Sequence, residues 1–172
     1  IGRVSLQGTV SEFALPSASS QPRGIAAGPD GNIWFTEIST GKIGRITPQG
    51  AITEFDIPWT NAAPRGITSG PDGNLWFTDS GGLSIGRLTP TGSFTRFAVP
   101  WASDNLRGIT TGPDGNLWFV ELTGNRVGRI TPAGVMTEFP LPRSGAGPLS
   151  IAAGPDGAVW YTASSANRVG RV

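Results

Sequence analysis

Five copies of one tripeptide pattern set the limits on what this chain can fold into. Ile1-Gly2-Arg3, Ile43-Gly44-Arg45, Ile85-Gly86-Arg87, Val127-Gly128-Arg129 and Val169-Gly170-Arg171 recur at an unbroken spacing of 42 residues. The chain therefore divides into repeats 1–42, 43–84, 85–126 and 127–168, with the start of a fifth at 169–172, all within a single repeat domain, 1–172. A fixed period of this length marks a stack of supersecondary units, each unable to bury its apolar faces alone.

The unit is made of strands. Arg23 to Gly28 leads into Pro29-Asp30-Gly31 and then Asn32 to Glu37, which predicts two strands around a three-residue loop. Pro presets the first turn dihedral and Gly supplies the left-handed residue that closes it. Ile43 to Thr47, a turn at Pro48-Gln49-Gly50, and Ala51 to about Ile57 complete a four-stranded meander, which Pro58 ends. Gly or Pro interrupts nearly every stretch long enough for a helix. The second strand carries Trp34-Phe35, Trp76-Phe77, Trp118-Phe119 and Trp160-Tyr161. Adjacent strand residues point to opposite faces, so both faces of each sheet must be covered. The predicted fold is all-β, a β-propeller of four-stranded antiparallel blades.

The repeat is out of phase with the blade. The chain opens on the third and fourth strands of one blade, continues through three whole blades, and finishes on the first two strands and the beginning of a third. The expectation is a partial ring, or half of a larger seven- or eight-bladed ring, with self-association as one route to its completion.

Composition excludes several functions. Thirteen basic and twelve acidic residues are scattered to a net charge of +1, which leaves no basic field to hold nucleic acid. There is no Cys for a disulfide or a thiolate metal site, and no His to act as general base or zinc ligand. Without His, the abundant Ser and Thr have no partner for nucleophilic catalysis. No apolar run approaches the roughly 20 residues of a membrane span, and no signal-peptide pattern is present, so no membrane partner is expected. Compartment is not legible, although a turn-rich, Cys-free propeller suits an extracytoplasmic setting.

The strings Gly70-Pro-Asp-Gly-Asn-Leu-Trp-Phe-Thr78 and Ile43-Gly-Arg-Ile-Thr-Pro-Gln-Gly-Ala-Ile-Thr-Glu-Phe55 resemble the blades of streptogramin lyases, and more distantly those of NHL-repeat propellers. The likeness runs the whole chain. It implies a seven-bladed ring with a His general base, acidic residues and a magnesium ion at one end, near the axis. The family places its His after the Pro that starts the first strand. Those positions here hold Arg23, Arg65, Arg107 (after Leu106) and Leu149. The family's acid after the Trp-Phe pair is matched in type by Glu37, Asp79 and Glu121, and by Ala163 in the last unit. The residues given thus lack the base of the family reaction. No cofactor is evident, and magnesium enters only if further blades complete the lyase site. Two readings follow: a non-catalytic binding or scaffolding propeller, or a streptogramin lyase whose catalytic His lies on other blades. A third is a repeat segment, engineered or truncated, selected for self-assembly.

A three-residue loop at 29–31 sets Arg23 opposite Glu37, and likewise Arg65 opposite Asp79 and Arg107 opposite Glu121, with Leu149 and Ala163 as the apolar counterpart. The joint loss of charge in the fourth unit favours cross-strand ion pairs at the rim. The functional alternative is a ring of Arg and acids around a funnel that takes a small polar ligand or a protein partner. Trp59 and Trp101 stand where other units carry Ser17 and Arg143, and two roles are open to each: a flat apolar face for a ligand or partner, or a cap on the neighbouring blade. No residue is assigned a catalytic or metal-binding role.

Overall fold

A computed structural model of the chain describes residues 1–101 and 105–172. Strands β1 (Gly2–Val4) and β2 (Val10–Glu12) form a two-stranded sheet. Three four-stranded sheets follow. The first is β3 (Pro22–Ala27), β4 (Ile33–Glu37), β5 (Lys42–Ile46) and β6 (Ile52–Asp56). The second is β7 (Pro64–Ser69), β8 (Leu75–Asp79), β9 (Ser84–Leu88) and β10 (Phe94–Ala98). The third is β11 (Leu106–Thr111), β12 (Leu117–Glu121), β13 (Arg126–Ile130) and β14 (Met136–Pro140). A three-stranded sheet, β15 (Pro148–Ala153), β16 (Val159–Ala163) and β17 (Arg168–Arg171), ends the chain. Every pairing is antiparallel between sequence neighbours, so the blades are meanders that begin and stop where the strand count placed them. Among the described residues no helix is long and apolar enough to cross a membrane.

The turns work as their chemistry predicts. Gly31 takes φ +74°, and the Gly28 amide donates to the Asn32 carbonyl at 2.7 Å, which closes the loop over residues 29–31. That register turns Trp34 toward the following blade and Phe35 the other way. Trp34 packs with Ile67 and Leu75 of the second blade, Trp76 with Ile109 and Leu117 of the third, and Trp118 with Ile151 and Val159 of the last. Trp34 and Trp76 are 0% exposed, whereas Trp160, on the forward face of the last sheet, is 39% exposed. The core lies between blades rather than within them. Apolar burial at these interfaces stabilises the fold by about 25 cal/mol per Å² of surface removed from water.

Each Trp is clamped by a stack that the sequence repeats. Its indole N–H donates to the Asp four residues earlier, as from Trp34 to Asp30 Oδ1 at 2.9 Å. Phe55 stacks on Trp34 at 5.4 Å, and the Arg45 guanidinium lies 5.5 Å from the same ring. Arg45 then donates to the Pro90 carbonyl of the next blade at 3.3 Å. Gly44 is required because the Phe35 ring lies where its Cβ would be. The Ile-Gly-Arg motif is therefore a blade-to-blade fastening.

Candidate functional site

The first strand of each blade carries a bulge at its start, and this changes the site that the sequence predicts. Ile25 pairs with Phe35, Ala26 with Trp34 and Ala27 with Ile33, as the loop length requires. Beyond Ile25 the register shifts, and Glu37 pairs with Pro22 instead of Arg23. The same shift sets Pro64 against Asp79, Leu106 against Glu121 and Pro148 against Ala163. An extra residue on one strand is the definition of a β-bulge, and it re-aims the side chains beside it. The expected Arg–acid opposition is thus corrected: none of Arg23–Glu37, Arg65–Asp79 or Arg107–Glu121 is a cross-strand pair.

The bulge is held by contacts between blades. The Gly24 amide donates to Thr36 Oγ1 at 2.8 Å, and that hydroxyl donates to the Arg65 carbonyl of the next blade at 2.8 Å. Gly66, Thr78 and the Arg107 carbonyl repeat the arrangement at 2.9 and 2.5 Å. Glycine is needed at this crossing, since a Cβ on Gly66 would stand 2.7 Å from the Arg107 carbonyl oxygen. Neighbouring first strands touch here, and so their arginines meet. Arg23, Arg65 and Arg107 line one cavity of ≈ 230 Å³ together with Gly24, Gly66, Gly108 and Leu149. Burial lowers the Arg65 guanidinium from the ordinary arginine range, and the positive charges of Arg107 and Arg23 lower it further.

The acids lie elsewhere. Glu37, Asp79 and Glu121 are each 0% exposed, and none lines the arginine cavity. Asp79 and Glu121 each anchor the connection that leads into their own blade. Trp59 Nε1 donates to Asp79 Oδ2 at 2.7 Å and the Ala63 amide to Asp79 Oδ1 at 2.7 Å. Trp101 Nε1 donates to Glu121 Oε1 at 2.8 Å. In the first blade, which has Ser17 in place of Trp, Thr40 donates to Glu37 Oε2 at 3.0 Å. The half-buried Trp59 also stacks on Phe77 at 6.2 Å, and the Arg96 guanidinium lies over the Trp59 ring at 5.6 Å from its centroid. Both loop tryptophans therefore spend their polar edge on a buried carboxylate. In the fourth unit both partners are absent, with Arg143 and Ala163 in their places, whereas the first unit keeps its acid without the Trp.

Burial pushes the Glu37 carboxyl up, against the Thr40 hydrogen bond that favours its charged form. Burial likewise raises Glu121, opposed by the Trp101 indole and the Arg126 charge. Glu37 Oε1 and Glu121 Oε2 accept no hydrogen bond among the described residues. A magnesium site does not fit these carboxylates. They sit one per blade, enclosed with separate partners, and the described residues hold no group of three or more His, Cys, Asp or Glu that could bind a metal ion.

Four aspartates escaped the sequence reading. Asp30, Asp72, Asp114 and Asp156 sit in the turns and also accept the indole N–H of the blade Trp at 2.9–3.0 Å. Burial pushes the Asp72 carboxyl up but is outweighed by hydrogen bonds from Asn74, Trp76 and the backbone, which hold it below the usual carboxylate range. The signal was available as an Asp-to-Trp spacing of four residues, repeated in all four units.

A family model described as the virginiamycin B lyase family matches residues 1–172. Virginiamycin B lyase from Staphylococcus aureus superposes with a TM-score of 0.96 at 45% identity, over 99% of this chain and 58% of that one. The same figures hold for a catalytically inactive histidine-to-alanine variant of that enzyme, crystallised with quinupristin. A streptogramin B lyase structure matches with a TM-score of 0.96 at 42% identity, over 99% of this chain and 57% of that one. No curated protein sequence matches. The chain spans somewhat more than half the length of the lyases that it resembles.

Proposed function

The chain belongs to the virginiamycin B lyase family, and from that premise we propose that these residues act in binding and scaffolding rather than in catalysis, with ligand contacts at the end of the blades where Arg23, Arg65 and Arg107 converge. The observation that carries this reading is the absence of His from all 172 residues, set beside a relative that is catalytically inactive as a histidine-to-alanine variant. A family reaction that requires an imidazole cannot be run by side chains that include none. What these blades offer instead is a rigid wall: glycine crossings and threonine bridges fix the backbone from which each arginine projects.

The test is to incubate the chain with quinupristin and follow the antibiotic by chromatography. The expected result is no conversion. Conversion that disappears in Glu37→Gln or Asp79→Asn would overturn the reading.

A second reading is that the catalytic His lies on further blades of a longer chain. It is favoured by the 58% span of the Staphylococcus aureus enzyme. The forward face of the last sheet, with Trp160 at 39% exposure, and the cavity of ≈ 390 Å³ among Phe13, Ile25, Ile33 and Ile46 repeat the two halves of the internal Trp socket. A further blade of the same repeat fits them, whether from the same chain or from a second copy. Joining these residues to blades that carry His after the Pro of the first strand is expected to yield quinupristin conversion on this reading, and a failure to do so refutes it.

A further inference from the structure

Two surfaces at opposite flanks are the halves of one interface that the chain builds three times internally. At each internal boundary the blade Trp sits between an Arg and a Phe of its own sheet and the apolar side chains of the next blade, as Trp34 does with Arg45, Phe55, Ile67 and Leu75. The first flank has the parts of this socket other than the Trp. Arg3 lies 5.6 Å from the Phe13 ring centroid and donates to the Pro48 carbonyl at 2.9 Å, the contacts that Arg45 makes with Phe55 and Pro90. With Ile25, Ile33 and Ile46 these residues bound the cavity of ≈ 390 Å³, and Ile25 is 58% exposed where its counterpart Ile67 is 6%. The last sheet has the Trp without the socket. Trp160 keeps its bond to Asp156 at 3.0 Å but is 39% exposed, against 8% for Trp118, on which Phe139 stacks at 5.3 Å. The strands divide in the same way. β1 and β2 correspond to β5 and β6, so their sheet lacks the pair that corresponds to β3 and β4, and β15 and β16 are such a pair.

We propose that this polypeptide associates head to tail with a second copy of itself, with β15 and β16 of one copy joining β1 and β2 of the other in a composite four-stranded blade. Trp160 then enters the second copy's socket, and the second copy's β1 takes the place of β17 beside β16. The register is set by the repeat: Trp160 pairs with Arg171 within the chain, as Trp34 pairs with Arg45, and Arg3 holds the same place in the motif of β1. One position beside β16 cannot hold both strands. The exchange favours β1, which brings β2 and Phe13 with it, whereas β17 has no fourth strand beside it. Main-chain pairing to an open sheet edge supplies affinity, and the Trp in its pocket supplies specificity. A second copy is the fitting occupant because each flank carries, in sequence and in register, what the other lacks. The two surfaces differ, so the contact is heterologous. This goes beyond both readings of the activity, and quinupristin conversion does not bear on it.

The test uses Trp160→Asp and Ile25→Asp, both at exposed positions outside the internal boundaries, and follows mass by sedimentation over a range of concentrations. The parent is expected to associate, and each variant alone, once its melting transition shows it to be folded, to lose at least about tenfold in association affinity. An equimolar mixture of the two variants is expected to form a one-to-one complex, because only the mixture offers an intact Trp160 to an intact socket. Amide exchange of the parent needs no substitution and reads the strand exchange directly. As concentration rises, exchange is expected to slow at least about tenfold in β1 and to accelerate in β17. A parent that stays monomeric at all concentrations would overturn the proposal. So would a mixture no more associated than its folded components, which is the result for two like flanks meeting or for general apolar adhesion. Association in which β17 keeps its protection refutes the composite blade and with it the proposal.

Discussion

Replacing Trp59 by Phe separates the two roles open to this side chain. Phe keeps an aromatic ring against Phe77 and Phe94, which Trp59 meets at 6.2 and 6.0 Å, and removes only the indole donor. The lost bond is the 2.7 Å contact to Asp79 Oδ2. Asp79 is 0% exposed, so the freed oxygen cannot turn to water, and only Ser84 Oγ, at 3.4 Å, stands ready to take up part of the loss. A hydrogen bond to a charged group is worth about 1.5–3 kcal/mol. For a chain of this size each kcal/mol moves the melting temperature by about 2–4 °C, so the expected fall is about 3–12 °C. Urea unfolding of Trp59→Phe, Asp79→Asn and the double variant provides the cycle. The Trp59→Phe cost is expected to shrink sharply in the Asp79→Asn background, because the two residues form one interaction. A cost within about 0.5 kcal/mol, as for an ordinary surface position, or full additivity in the cycle, would refute the anchoring role.

Glu121→Gln and Asp72→Asn are expected to change acid behaviour in opposite senses. Glu121 binds its proton more tightly in the folded chain, so stability falls as pH rises from the ordinary glutamate range through the raised folded value; Glu121→Gln removes that slope in urea titrations across pH. Asp72 is held below the usual range when folded, so its contribution is present at neutral pH and is lost as pH falls through the lowered value; Asp72→Asn is expected to flatten that loss. Trp76→Ala, at a 0% exposed position, is expected to cost about 3–5 kcal/mol, whereas Trp160→Ala, 39% exposed, costs a fraction of that by the same denaturation assay. Light scattering over a range of concentrations is expected to report association that Trp160→Asp and Ile25→Asp each abolish; a monomer at all concentrations would show that a second copy does not fill the open socket.

The fold was legible because each level of the sequence agrees with the next. The Pro-Asp-Gly loop sets the register, the register sends Trp34 and Phe35 to opposite faces, and the period repeats the result. The candidate site was legible only in part. Arg23, Arg65 and Arg107 do converge at one end, but Glu37, Asp79 and Glu121 do not face them, because a count outward from the turn holds only for a regular ladder. The bulge between Pro22 and Ile25 breaks that count. Its trace in the sequence is the Gly after each Arg, at Gly24, Gly66 and Gly108, which marks a close backbone approach. The sequence leaves the loop tryptophans open between a free face and a cap because a side chain's polar edge finds its acceptor across 20 residues of chain, a separation at which local patterning carries no information. A related compensation was visible in outline: where Arg96 replaces the Glu found at 54 and 138, Ser84 replaces the Lys42 or Arg126 that faces it.

The Asp–Trp–Phe–Arg stack is written almost identically at every blade boundary, and this has a cost in information. An interface that is the same each time cannot tell one neighbour from another, so it dictates that blades follow each other without dictating how many. Blade number must then be read out at the narrow end, where Gly24, Gly66 and Gly108 let successive first strands come into backbone contact. A bulkier residue there would hold the strands apart and widen the turn from blade to blade. In such a protein the glycines, which have no side chain to recognise anything, set the curvature of the ring, while the tryptophans that hold it together are indifferent to its size.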